Sequence, residues 1–243
     1  MSIFAAIMLS CLAGGVLSVL AASLVGLTPL HRHARTLVSF SVGVLLAAAM
    51  LDLLPAAAAQ LDMQRVGATL LIGLLGFFVL EKLALWRHDH AAPDTPSREA
   101  VALTLTLGDG CHNFVDGLLL AAAYTEDPKL GLAMTIAIVA HEIPQEIGDF
   151  LILIAAGYTR RQAMVLNVIA SLGSLLGGIL GYFLVQQLTG LTPYALAIAA
   201  ASFLYIAVAD LVPMLQSARR PRDFALQLPL LLGGVAVVFG GLP

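Results

Sequence analysis

Two consecutive stretches of this sequence hold residue types able to bind a metal ion. The first reads Gly108-Asp109-Gly110-Cys111-His112-Asn113-Phe114-Val115-Asp116-Gly117. The second reads His141-Glu142-Ile143-Pro144-Gln145-Glu146-Ile147-Gly148-Asp149-Phe150. At helical spacing Asp109, His112 and Asp116 fall at i, i+3 and i+7 on one face, and Asn113 shares the edge of Asp116. In the second stretch His141 with Gln145 and Glu142 with Glu146 form adjacent i, i+4 pairs, and Asp149 continues that surface. Two imidazoles, at least three carboxylates and two amides would thus meet. Neither stretch contains Lys or Arg, so a divalent cation is the natural counter-charge. Imidazole, carboxylate and amide oxygen suit Zn²⁺, Fe²⁺ or Mn²⁺, and the shortage of thiolates argues against Cu(I). A carboxylate such as Asp116 or Glu142 could bridge two adjacent metal positions, which favours a binuclear or stepping pathway over one closed cage.

Composition sets the kind of element that must carry these residues. Of 243 residues, 60% are apolar and 11% are Asp, Glu, Lys or Arg, against about 45–50% and about 25% in an ordinary soluble domain. Mean hydropathy is +0.95. So little charge cannot cover a soluble surface of this size. A soluble hydrolase, a nucleic-acid-binding protein and a disordered scaffold are excluded, which leaves a polytopic membrane protein. The net charge of -3 argues for no polyionic partner. Cys11 and Cys111 both lie in apolar runs, so no disulfide framework is indicated.

A helix needs about 20 apolar residues to cross a bilayer. Eight such runs occur, at 3–27, 36–57, 66–86, 101–124, 130–158, 163–188, 192–215 and 224–242. The expected fold class is therefore an all-α membrane protein, a single transmembrane domain of eight helices spanning residues 1–243. The longest connection, 87–100, is polar and contains two Pro, and no connection is long enough for a separate soluble domain. The apolar N-terminal segment lacks a basic leader and a small-residue cleavage site, so it reads as a retained helix. Ten of the twelve Lys and Arg flank or fill the odd-numbered connections: Arg32, Arg35, Lys82, Arg87, Arg98, Arg160, Arg161, Arg219, Arg220 and Arg222. Only Arg65 and Lys129 fall in the even-numbered ones. The positive-inside rule then puts the 87–100 loop in the cytoplasm and both termini outside.

The second run ends Asp52-Leu53-Leu54-Pro55 and the seventh Asp210-Leu211-Val212-Pro213. Leu12-Ala13-Gly14-Gly15 in the first run echoes Leu175-Leu176-Gly177-Gly178 in the sixth. These matches predict an inverted repeat of helices 1–3 and 6–8 around helices 4–5, an arrangement typical of transporters with a midplane site. An ionised group at the bilayer centre costs about 2.5–3.5 kcal/mol on insertion scales. Outside helices four and five the deep ionisable residues are Asp52 and Asp210, with Glu81 near an end. Asp52 would lie toward the outer face and Asp210 toward the inner one, as ligands at the two ends of a pathway. Pro144 frees the carbonyl of Ala140 and kinks its helix where the ligands cluster. Gly173, Gly177 and Gly181 form a strip suited to close helix packing, and Cys111, about 100° around the helix from His112, reads as a small apolar filler.

These segments resemble the ZIP family of divalent metal transporters over nearly the whole chain. His112-Asn113-x-x-Asp116-Gly117 and His141-Glu142-x-Pro144-x-Glu146-x-Gly148-Asp149 look like its fourth- and fifth-helix signatures. Asp52-Leu53-Leu54-Pro55 and the Phe203-Leu204-Tyr205 to Pro213 stretch look like the branch containing many animal zinc importers. The resemblance implies eight helices, extracytoplasmic termini, metal movement toward the cytoplasm and frequent dimers. By motif position His112, Asp116, His141, Glu142 and Gln145 fall on the primary metal site, and Asn113 and Glu146 on a neighbouring position. Asp52, Asp149 and Asp210 are further candidates.

The expected transported ion is Zn²⁺, ahead of Fe²⁺, Mn²⁺ and Cd²⁺. The expected partners are the lipid bilayer and a second copy of the chain, with no nucleic acid and no resident cofactor. Gln145 stands where animal members of the branch usually carry a second His, and Asp52 where they carry a His. The shortage of His-rich segments points to a prokaryotic inner membrane, and His88 and His90 read as incidental residues of a solvated loop. The alternative is an intramembrane zinc metalloenzyme, since His141-Glu142-x-x-Gln145 is one residue short of the zinc-protease pattern. A structural or proton-conducting protein using the carboxylates without metal is a third reading. The spread of Asp52, midplane cluster and Asp210 favours transport.

Overall fold

The structure is a computed structural model that describes residues 2–26, 34–89, 98–187, 190–216 and 221–241. These residues form eight helices and no strand. They are α1 (3–26), α2 (34–58), α3 (Met63–Asp89), α4 (Arg98–Glu126), α5 (Pro128–Ala155), α6 (Arg160–Gln187), α7 (Thr192–Gln216) and α8 (Pro221–Gly241). The element boundaries follow from local chemistry. The helix expected at 130–158 begins sooner because the Asp127 side chain accepts the N–H groups of Lys129 and Leu130, with Pro128 preset for the first turn. It stops at Ala155 because Gly157 turns to φ 91° and the Tyr158 N–H reaches back to the Leu153 carbonyl. Thr159 and Gln162 then form a reciprocal capping box that starts α6.

Five segments are long and apolar enough to cross a membrane: Ile3–Leu24, Val38–Ala58, Arg160–Val185, Thr192–Gln216 and Asp223–Gly240. α4 and α5, at 29 and 28 residues, have the length but carry the ionisable stretches. In α3 the apolar part is Met63–Val79. The outer surface exposes Leu71, Ile72, Leu176, Phe183, Phe224 and Phe239, while the middle of α7 is its most enclosed part, with Leu196, Ala197, Ala199, Ala200 and Phe203 fully buried. The protein is an all-α integral membrane protein.

Packing partners come in matched pairs. Exchanging α1 with α6, α2 with α7, α3 with α8 and α4 with α5 converts the α4–α6 contact into α5–α1. The same exchange converts α2–α8 into α7–α3 and α2–α5 into α7–α4, and all six contacts are made. The backbone carries the same correspondence. Residues 48–53 of α2 and 206–211 of α7 are both six-residue π-helical turns, with Asp52 and Asp210 each fifth in its turn and a Pro three residues later. A Pro lacks the N–H an α-helix would use there, and a wider turn is one way to absorb the loss. In the weaker sequence match only α1 is π-helical, at 13–17, where the Ser18 hydroxyl takes up the Gly14 and Gly15 carbonyls; α6 is regular through Gly177 and Gly178.

The most extensive contact is between α4 and α6. A Cβ on Gly173 would strike the Gly110 carbonyl oxygen, one on Gly177 the Phe114 carbonyl oxygen, and one on Gly117 the Ser174 carbonyl oxygen. Backbone therefore rests directly on backbone, as small-residue strips allow between membrane helices. α2 and α8 meet in the same way at Gly43 and Gly234. At the end of α4, the Tyr124 hydroxyl bonds Ser10 of α1 at 2.9 Å and Thr135 of α5 at 3.2 Å, tying three helices together. Gly177→Val is expected to lower the unfolding temperature in detergent, with a loss of about 1–3 kcal/mol from overpacking. Gly76→Ala, whose new Cβ meets nothing within 4 Å, should not lower it, since Ala is favoured over Gly inside a helix.

Candidate metal centre

His112 and Asp116 on α4 face His141 and Glu142 on α5, and one donor atom from each lies within 4.8 Å of the other three. The two imidazole Nε2 atoms are 3.3 Å apart. His141 Nε2 is 3.3 Å from Asp116 Oδ2 and 3.6 Å from Glu142 Oε1. His112 Nε2 is 3.4 Å from Glu142 Oε1 and 3.8 Å from Asp116 Oδ2. Donors about 2.0–2.2 Å from a tetrahedral Zn²⁺ stand about 3.3–3.6 Å from one another. Four of the five separations fall in that range, and the fifth opens one edge.

The protonation pattern suits the same use. His141 Nδ1 lies 2.9 Å from the Ala137 carbonyl oxygen, which can only accept, so Nδ1 carries the proton and Nε2 turns a lone pair toward the group. Phe203 of α7 packs edge-on against the His141 ring at a centroid distance of 5.9 Å, and the ring is held between these contacts. Asp116, His141 and Glu142 are at most 1% exposed, whereas His112 keeps 20% of its side chain accessible. His112 is thus the member of the group with an accessible face. Both oxygens of Asp116 and both of Glu142 are buried without a hydrogen-bond donor among the described residues. A buried carboxylate lacking donors and lacking Lys or Arg is strongly disfavoured unless a cation joins it.

A second group adjoins the first. Asp109, Glu142 and Glu146 bring carboxylate oxygens within 4.8 Å of one another, so Glu142 belongs to both groups. The amide nitrogen of Gln145 donates to Asp109 Oδ1 at 3.2 Å, and that of Asn113 donates to the same oxygen at 3.1 Å. Asn167, on α6, donates to Glu146 Oε2 at 2.7 Å, while Glu146 Oε1 is buried without a donor. The carbonyl that Pro144 frees is taken by a neighbour: the Ser41 hydroxyl of α2 donates to the Ala140 oxygen.

The expected residues therefore gather in two places. His112, Asp116, His141 and Glu142 form the first group, while Gln145, Asn113 and Glu146 lie with the second. Asp149 is half-buried further along α5 and joins neither, and Asp52, half-buried in its π turn, joins neither. The side chains of Asp210, Glu81, His88 and His90 lie outside the described residues. Cys111 is exposed on the outside of the bundle and does not act as a core filler. Three contributors were not among the expected ligands: Asp109 as a member of the second group, Asn167 and Ser41. Only Asp109 had a signal, its i, i+3 spacing from His112.

The family profile described as ZIP zinc transporter matches residues 1–99 and 87–240. The chain is 34% identical over 223 residues to zinc transporter ZIP13 of Pongo abelii, covering 85% of this chain and 66% of that protein. It is 36% identical over 150 residues to zinc transporter foi of Drosophila melanogaster, covering 61% of this chain and 21% of that one. It is 37% identical over 151 residues to zinc transporter ZIP4 of Homo sapiens, covering 59% and 23% respectively. These alignments thus span from about a fifth to two thirds of the relatives' own length. The profile covers both signature helices and nearly the whole of the chain, and on that match the protein belongs to the ZIP zinc transporter family.

Proposed function

We propose that this protein moves a divalent metal ion, Zn²⁺ first, across the membrane toward the cytoplasm through the paired groups between α4 and α5. The observation that carries the reading is the set of four mutually facing donors, His112, Asp116, His141 and Glu142, with carboxylate oxygens buried and undonated. The names of the ZIP relatives support the same cargo. Glu142, shared by both groups, gives an ion two adjacent stations, and a stepping path needs binding weak enough to release. Fe²⁺, Mn²⁺ and Cd²⁺ fit the same donor classes less selectively. Under this reading all eight helices cross the bilayer as one domain with both termini outside, and the chain works as a homodimer. The helix bundles then shift to expose the site alternately to the two sides.

Uptake of Zn²⁺, Fe²⁺, Mn²⁺ and Cd²⁺ into proteoliposomes tests this directly. Wild-type protein should take up Zn²⁺, and Asp116→Ala should lose at least about tenfold of that rate with membrane insertion unchanged; equal uptake by the two would remove Asp116 from the pathway. Gln145→His adds an imidazole one turn from His141 and is expected to raise Zn²⁺ uptake relative to Mn²⁺ in competition. Ser41→Ala leaves the Ala140 carbonyl without its donor, a loss of about 1–3 kcal/mol directly before the His141–Glu142 pair. Uptake should fall severalfold with the order of metals unchanged, and Ser41→Thr should restore it.

A further inference from the structure

At the end of the bundle where α4 begins and α5 gives way to α6, Tyr158, Arg161, Gln162, Val165 and Leu166 line an open groove of about 420 Å³. One wall is built. The Arg98 guanidinium lies 3.9 Å over the Tyr158 ring and donates to Gln162 Oε1 at 3.2 Å, while the Tyr158 hydroxyl donates to the Arg98 carbonyl at 3.3 Å. Arg160 and Arg161 are exposed beside it. Among the described residues no carboxylate lies within ion-pair distance of Arg98, Arg160 or Arg161. Among the described residues the groove therefore has Arg161 in its lining, two further arginines beside it, an aromatic edge and no carboxylate counter-ion.

Its other end is apolar. Val165, Ile169, Leu172 and Leu176 are exposed at i, i+4, i+7 and i+11 on α6, so a lipid-facing stripe starts at the groove and runs down the helix. From Arg161 to Leu172 the helix rises about 16 Å, close to half of the about 30 Å hydrocarbon core, the depth of one leaflet. Guanidinium groups bind phosphate through paired hydrogen bonds, and a Tyr at this level is typical of the membrane interface. A free phosphate would use the arginines and leave the stripe idle. An anionic phospholipid uses both, headgroup in the groove and acyl chain along α6.

We propose that the groove along the start of α6, walled by Tyr158 with Arg98 stacked on it, is a binding site for an anionic phospholipid, held by Arg161 with Arg160 and Arg98. The test is mass spectrometry of the intact full-length protein released from mild detergent. It would be titrated with phosphatidylglycerol, with phosphatidylcholine of the same acyl chains, and with glycerol 1-phosphate. Phosphatidylglycerol should bind about tenfold more tightly than phosphatidylcholine, as one to two unpaired basic residues at a membrane surface provide. Arg161→Gln should abolish that preference and Arg161→Lys restore part of it. Arg65→Gln, whose parent residue is paired with Asp62 at 3.1 Å, should preserve it. Three outcomes would overturn the proposal: equal binding of the two lipids, an unchanged preference in Arg161→Gln, or equal loss in Arg65→Gln. Glycerol 1-phosphate binding as tightly as phosphatidylglycerol would also overturn it, by reducing the groove to a free-anion site.

Discussion

Everything in this bundle answers to one electrostatic constraint, the burial of several carboxylates with no Lys or Arg to neutralise them. Among the described residues, Asp116 and Glu142 have neither donors nor fixed positive partners apart from two imidazoles. In a dry helical interior that arrangement is unfavourable on its own and becomes favourable when a cation is present. The surrounding contacts follow from it. His141 is locked with its lone pair inward by the Ala137 carbonyl, and Asn113, Gln145 and Asn167 give the second group its neutral donors. Neutral amides lower the cost of the carboxylates without filling the place of an ion.

The helical period made the faces legible, and His112, Asp116, His141 and Glu142 meet as their spacing implies. What spacing along single helices cannot supply is the register between two of them. That register decides that Asp109 sits with Glu146 and not with His112 and Asp116, and that Gln145 turns to Asp109. Asn167 and Ser41 were illegible for a different reason. Each is one of several polar residues on a mostly apolar helix, and its role exists only because another helix presents Glu146 or the Ala140 carbonyl to it. The glycine strip on α6 announced a close contact, yet its partner, the Gly110 to Gly117 edge of α4, depended on the fold.

The repeat was legible where it had chemical content and faint where it did not. Asp-Leu-x-Pro recurs because a π turn beside a Pro is a specific backbone solution, and both copies adopt it over six residues. The glycine pairs in α1 and α6 share letters but serve different ends, a π turn in one and backbone contact in the other. Sequence symmetry therefore has a structural counterpart in the two π turns and none in the glycine pairs.

The glycine contacts between α4 and α6 carry a mechanical meaning as well. Two helices separated by interlocking side chains can slide by exchanging rotamers, but two that touch backbone to backbone have no such bearing layer. α4 and α6 thus behave as a single lever. The donors on α4 and Asn167 on α6 are thereby held as one unit, against which α5 presents Glu142, the carboxylate common to both groups.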